Sequence, residues 1–344
     1  MKRKKYIIKF IYLIFISQVT IFNCLSQDIH FSQFNSSPQI FNPSSAGLFD
    51  GDLRIVGNQK SQWAAIPVPY KTYAIAVDKR FNKKKTGVTP ALGLLINTDK
   101  AGDSKFRTSQ FFLSAAVIKN IGKDSTHFIS IGLQPGFTTK SFKINELTFD
   151  NQYDGDNYNP ALSSGEDFGK YRITYLDLGT GLTYLWMKSK RTQFSLGFSA
   201  FHINMPKQSF FNDNNIRLDI KTVISGNVAF PIAQKLDLIP SFLNERQGKY
   251  KETILGLFGK YYLQPINGMT TAISVGSFYR LKDSFIFAAN LDYRSFIFGL
   301  SYDINTSKLI EATNNKGGFE ISIIYIFKKA VPYVAKKRAC PIYM

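Results

Sequence analysis

Segments of two-residue alternation, most of them about 10 to 12 residues long, recur along this chain and constrain its fold more than any other feature. In residues 192–201 the large apolar Phe194, Leu196 and Phe198 alternate with Ser195, Gly197 and Ser199. In residues 178–186, Leu178, Leu182, Tyr184 and Trp186 oppose Gly179, Gly181 and Thr183, and the period returns in 285–293, 296–302 and 319–327. Alternation places successive side chains on opposite faces of a strand, so each segment has one greasy face and one small or polar face. A soluble sandwich and a membrane barrel share this pattern. Sandwich strands usually run about 5 to 6 residues, whereas about 9 to 11 are needed to cross a bilayer at a tilt. Aromatic residues also gather at segment ends, as at Tyr184 and Trp186, Tyr261 and Tyr262, and Tyr293, the placement of an interfacial girdle. The reading is all-β, a transmembrane antiparallel β-barrel of the outer-membrane type.

Counting gives about fourteen strands, at 52–62, 70–81, 89–99, 106–118, 126–137, 173–187, 192–203, 220–231, 236–246, 252–263, 270–280, 284–292, 295–305 and 318–327. If the first runs outward, the connections 82–87, 119–125, 188–191, 233–235, 264–269 and 293–294 fall on one end, and all are short. The longest, 138–172, 204–219 and 306–317, fall on the other. Short periplasmic turns and longer extracellular loops are the habit of bacterial barrels.

The N-terminus supplies the address. Basic residues 2–5 precede an apolar run from Ile7 to Phe22, with Cys24 and Ser26 at the positions a signal peptidase reads, so cleavage is expected after Ser26. Asn23 before Cys24 disfavours a lipid anchor. The leader carries five basic residues and no acid, so its loss lowers the net charge from +19 to +14. Cys340 is then the sole cysteine and no intrachain disulfide can form. The expected organisation is a signal peptide at 1–26, a periplasmic lead-in or plug at 27–51, a barrel at 52–328 and a basic periplasmic tail at 329–344. The lead-in has no charge between Asp28 and Asp50, and Pro38 and Pro43 discourage it from adding a strand. Its Phe31, Phe34 and Phe41 are candidates to plug the lumen or to dock a partner.

Little in the chain suggests chemistry. His30, His127 and His202 stand in no metal-ligand spacing. His202 could serve one of the many serines as a base, but no nucleophile elbow accompanies it. Residues 150–157, DNQYDGDN, resemble a calcium loop but fail at Gln152 and at Ala161, where a bidentate Glu belongs. Loops of this composition are commonly turns. No enzyme activity, cofactor or metal is expected. The basic runs at 83–85, 188–191 and 336–338 fall on short turns or the tail of an exported chain, which argues against nucleic acid and for anionic headgroups or an acidic periplasmic partner. Some lumen-facing positions, Ile324 and Ile326 among them, are apolar where a water-filled pore would be polar. Tyr153, Tyr158, Phe168, Phe210 and Phe211 lie in polar loops and are candidates for partner binding, since exposed aromatics anchor protein interfaces.

Several stretches, in order, resemble the PorP/SprF-type membrane proteins of the type IX secretion and gliding machinery of Bacteroidetes. They are QDIHFSQFNSSPQIFNPSSAG from Gln27, NQKSQWAAIPVPYKTYAIAVD from Asn58, NTDKAGD from Asn97, LTFDNQYDGDNYNP from Leu147, FSAFHINMPKQSF from Phe198 and GLSYDINTSKL from Gly299. The ending KKRACPIYM is similar to the family's basic-Cys-Pro finish, with Ile342 where Arg is more common. The resemblance spans essentially the whole mature chain. It implies an outer-membrane barrel acting with the secretion machinery and with a large secreted partner, adhesin-like, whose C-terminal sorting domain it helps export or hold at the surface. Besides that partner and the machinery, outer-membrane lipid is an expected contact. A porin or specific channel is the alternative function.

Overall fold

The structure is a computed structural model that describes residues 28–62, 70–81, 87–122, 124, 126–166, 169–211, 213–263, 271–307 and 316–329. The leader and its cleavage site, Phe168 and the tail beyond residue 329 lie outside the described residues. Fourteen antiparallel strands close into one barrel. They are β1 (Leu53–Gln62), β2 (Tyr70–Arg80), β3 (Val88–Ala101), β4 (Phe106–Ile121), β5 (His127–Ser141), β6 (Arg172–Met187) and β7 (Gln193–Phe201), followed by β8 (Lys221–Ala233), β9 (Leu236–Gln247), β10 (Tyr250–Tyr262), β11 (Thr271–Arg280), β12 (Ser284–Tyr293), β13 (Phe296–Asn305) and β14 (Lys316–Phe327). Each strand pairs with its sequence neighbours, and β1 seals against β14 from Leu53↔Phe327 to Gln62↔Gly318. Closure leaves no free sheet edge, as a hydrocarbon environment requires.

The period of two decides which side chains meet lipid. Ile75, Leu113, Ile131, Leu133, Phe137, Val275 and Phe287 stand exposed on the outer face, a continuous greasy surface that a water-soluble protein could not carry. The inner face takes the alternate residues, Arg54, Val56, Asn58 and Lys60 on β1 for example, all of them buried. Two sequence expectations shift. Strands β4 and β5 continue past their apolar stretches, because the ladder persists through Ile121↔His127 at one end and Thr138↔Tyr175 to Ser141↔Arg172 at the other. Hydrogen bonding outlasts the hydrophobic pattern there. Tyr262 is not part of a girdle: it follows outward Tyr261, so parity turns it into the lumen, where its hydroxyl donates to Asp237 at 2.7 Å.

Residues 28–49 lie inside the barrel, Asp50 is exposed at the short-turn rim, and Asp52 extends the β1 ladder through its bond to the Phe327 carbonyl. The neighbours of residues 28–49 on the wall form a belt of small residues paired across five strands, Ala91↔Ala116, Ala116↔Gly132, Gly132↔Gly181 and Gly181↔Ser199. The short turn Pro43–Ser45 rests on this belt. Glycine is required where the inner backbone comes closest, since a Cβ on Gly132 would sit 2.5 Å from the Ser44 nitrogen and one on Gly181 would run into the Asn42 side chain. Gly181→Val should therefore lower the melting temperature, at a cost of about 1–3 kcal/mol, and make residues 28–51 accessible to protease. Gly57→Ala, which meets nothing within 4 Å, should change neither reading.

Candidate functional site

The functional feature with the most structure around it is the lumen and the segment that fills it. The segment carries mostly Ser, Gln, Asn, Phe and Pro, and its backbone follows short turns (Phe34–Ser36, Pro38–Phe41, Pro43–Ser45) in place of a strand. Prolines begin two of these turns, where a missing N–H does no harm. Such a backbone cannot join the sheet, so its polar groups must find side chains on the wall. Asn42 Nδ2 donates to the Leu182 carbonyl at 3.2 Å and to Thr183 Oγ1 at 3.1 Å, while its Oδ1 accepts from the Ser44 nitrogen at 3.0 Å. Ser130 Oγ donates to the Ser44 carbonyl at 2.6 Å, and Ser199 Oγ to that of Phe41 at 2.5 Å. Gln134 Nε2 donates to the Gln39 carbonyl at 3.4 Å, and Ser114 Oγ to the Gln39 side-chain oxygen at 3.2 Å.

Phe31, Phe34 and Phe41 are buried in this segment. They join one apolar cluster with Val56, Leu95, Phe112, Leu243, Ile254, Phe258 and Phe278 from the wall. Phe34 meets Phe278 edge to face at 6.0 Å between ring centres and Phe41 at 6.4 Å. Each ring taken out of water contributes about 2 kcal/mol. Two cavities border the segment among the described residues, each of about 10 Å³, room for about one water.

Ionic groups clasp both ends. At the short-turn end, buried Asp78 on β2 accepts from Arg54 Nε at 2.9 Å, from Arg54 Nη2 at 2.9 Å and from the Gly47 nitrogen at 2.7 Å. Arg54 Nη2 also donates to the Ser45 carbonyl at 3.0 Å, and Arg80 donates to that of Phe49 at 2.9 Å. Towards the long-loop end, Glu320 accepts the backbone nitrogens of Ser32 and Gln33 at 2.8 and 3.0 Å. Ser32 Oγ donates to Asp303 at 2.7 Å and accepts from Arg280 at 2.8 Å. Arg280 Nε lies 3.4 Å from Glu252, and Lys221 Nζ lies 3.4 Å from Glu245 and 3.7 Å from Asp28. Parity along the strands was the sequence signal for these lumen charges, since Arg54, Asp78, Asp303 and Glu320 all occupy inward positions. Their convergence on the segment had no such signal.

His202 closes the mouth. It follows the last residue of β7 in a left-handed conformation with φ of 57°. Its Nδ1 is 2.8 Å from Asp177 Oδ2, and its Nε2 lies 3.5 Å from Asp28 Oδ2. Burial pulls its pKa down, but the hydrogen bond to Asp177 and the charges of Asp177 and Asp28 outweigh that and hold it up at about 9. With its pKa raised, the ring is held largely as imidazolium between two carboxylates at neutral pH, the form without the free lone pair a general base needs. Beyond it, loop 202–220 reaches across to β4 and β5. Phe210 packs on Phe106 at 6.3 Å and on Phe142 at 5.1 Å, and Lys140 Nζ donates to Gln208 at 2.8 Å.

The loop aromatics separate into two kinds. Phe210 is half-buried as the anchor of loop 202–220, whereas Phe211, Tyr153 and Tyr158 are exposed. Tyr153 and Tyr158 bridge to each other, and between them Asp154 Oδ1 accepts from the nitrogens of Asp156 and Asn157 at 3.1 and 2.8 Å. The Asp/Asn-rich stretch is thus a self-capped turn. Phe168 lies outside the described residues.

The model of a family described as "Type IX secretion system membrane protein PorP/SprF" matches residues 23–325. No curated protein matches the sequence. Similar solved structures include the monoaromatic hydrocarbon channel CymD, at 8% identity over 86% of this chain and 93% of that one with a TM-score of 0.47. The toluene transporter TodX of P. putida is similar at 9% identity over 86% and 95%, with a TM-score of 0.47. A FadL homologue of Pseudomonas aeruginosa is similar at 10% over 85% and 94%, with a TM-score of 0.45. At these scores the likeness carries no inference about function.

Two outcomes test the clasps. Asp78→Asn leaves Arg54 buried without its charge partner, which should cost about 3–5 kcal/mol and be read as a lowered melting temperature. The raised pKa of His202 contributes stability that is fully present below its ordinary value of 6.5 and lost as pH rises through about 9. Hydrogen exchange at residues 28–31 should accordingly quicken across that window, and His202→Gln should remove the dependence.

Proposed function

This chain belongs to the PorP/SprF family of type IX secretion system membrane proteins, and from that premise we propose that it is a non-catalytic barrel that retains a secreted partner at the cell surface. Membership implies association with the secretion machinery, and the closed fourteen-strand fold makes it an outer-membrane protein. The finer reading is that the long-loop end binds the C-terminal sorting domain of a large, adhesin-like partner.

One observation carries the reading: the lumen is occupied from end to end by residues 28–49, with Phe31, Phe34 and Phe41 as a plug and charged clasps at both ends. A polypeptide partner would have to displace three buried rings and both clasps to pass through. The surface left for binding is the long-loop end, which in bacterial barrels faces outward and here presents Tyr153, Tyr158 and Phe211. Aromatic side chains on ordered turns lose little freedom on binding and suit an interface. The short signal peptide expected at 1–26 and cleavage after Ser26 belong to the same proposal, as does the periplasmic placement of the tail.

Removal of the protein should abolish surface display of the partner and leave uptake of small solutes unchanged, measured by surface labelling and by solute accumulation. Tyr153→Ser, Tyr158→Ser and Phe211→Ser combined should weaken display while the barrel still assembles. Steady conductance of the purified protein in planar bilayers, or normal display in its absence, would overturn the proposal.

A further inference from the structure

The outward face of β2 to β6 carries an ordered ladder of chemistry at the long-loop rim. Its top row pairs directly across strands as Lys71↔Lys100, Lys100↔Arg107, Arg107↔Ser141 and Ser141↔Arg172. The four basic residues are exposed. Directly opposed residues bring their Cβ atoms to about 4.5–5.5 Å, and like charges placed so are destabilising. None of the four forms a close ion pair among the described residues. Glu146, the acid of the adjoining loop, is bonded to Lys105, stands 3.8 Å from Lys143 and feels the charge of Lys100 at longer range.

The next row towards the membrane is hydroxylic: Tyr73↔Thr98, Thr98↔Ser109, Ser109↔Thr139 and Thr139↔Thr174. Thr139 and Thr174 hydroxyls lie 2.9 Å apart. Below it the pairs are apolar, Ile75↔Ile96, Ile96↔Phe111, Phe111↔Phe137 and Phe137↔Leu176. Cation, hydroxyl and hydrocarbon therefore follow one another down five adjacent strands. Elsewhere on this rim the outward strand positions differ. Strands β9 and β10 bear one cation pair, Arg246↔Lys251, and β11 to β14 bear the aromatic Tyr279, Phe285, Tyr302 and Phe319.

We propose that the face of β2 to β6 is a binding site for a phosphorylated glycolipid of the outer leaflet, of the lipid A type. Its phosphates lie among Lys71, Lys100, Arg107 and Arg172, its sugar hydroxyls against the Thr/Ser/Tyr row, and its acyl chains on the apolar rows beneath. The four strand steps span about 19 Å, wide enough for more than one phosphate, and a multivalent anion relieves the repulsion among the opposed Lys71, Lys100 and Arg107. The lipid holds the barrel's tallest wall upright beside loop 142–171. This inference is independent of the partner reading, since it concerns lipid and not display.

The test uses the full-length protein in phosphatidylcholine nanodiscs titrated with bisphosphorylated lipid A, with binding read by native mass spectrometry and stability by thermal melting. Lipid A should bind and raise the melting temperature, whereas dephosphorylated lipid A and inorganic phosphate should do neither. Affinity should fall roughly fivefold for each cation removed, through Lys100→Gln with Arg107→Gln to the four-residue variant adding Lys71→Gln and Arg172→Gln. Lys79→Gln with Lys119→Gln, at the opposite rim, should bind as the wild type does. Without lipid the four-residue variant should melt above the wild type, because the repulsion is gone, and with lipid the order should reverse. Equal binding of dephosphorylated lipid A, undiminished binding by the four-residue variant, or an equal thermal shift from inorganic phosphate would overturn the proposal.

Discussion

A fourteen-strand barrel encloses more space than its own side chains can fill, because eight strands already make an interior just wide enough for them. Everything inside this protein follows from how that space is occupied. Residues 28–49 enter it, and the wall is cut to receive them: the belt of Ala91, Ala116, Gly132, Gly181 and Ser199 lies where the inner backbone comes nearest. The phenylalanines fill the space above that belt. Filling and wall are complementary in size as well as in polarity.

Charge is organised by the same need. Buried ions are tolerated only when paired and hydrogen-bonded, and here the pairing includes the segment's main chain. Glu320 is completed by the nitrogens of Ser32 and Gln33, and Asp78 by that of Gly47. Emptied, the lumen would leave Glu320 without the nitrogens of Ser32 and Gln33 and Asp78 without that of Gly47. A wall built this way belongs to a barrel that stays filled, which is why the outward loops and the lipid-facing rim, and not the pore, are where function is proposed.

Most of the wall could be read in advance. Period two locates fourteen segments, and parity within each strand is enough to separate inward Arg54, Asp78 and Glu320 from outward Ile55, Val77 and Phe319. Ends were harder to place. Strand β5 runs on to Ser141 after its apolar residues stop, since ladder hydrogen bonds do not depend on side-chain polarity. Girdle membership of Tyr262 was misjudged because two adjacent tyrosines cannot both face outward. Among the loop aromatics, Phe210 and Phe211 are neighbours of identical type. Only contact with Phe106 and Phe142 makes the first an anchor and leaves the second exposed.

The opening segment shows where that division falls. Its two prolines and lack of alternation exclude it from the sheet, and its three phenylalanines need burial; these are local properties, present in the residues themselves. That Ser32 meets Glu320 and Asp303, or that Asn42 meets Thr183, joins positions more than a hundred residues apart in the chain. Sequence alone therefore determined the strands, their faces and the exclusion of residues 28–49 from the wall, because periodicity and φ restriction act over a few residues. The tertiary structure decided what fills the barrel and which charges meet, because closure alone sets the distance between strands far apart in sequence.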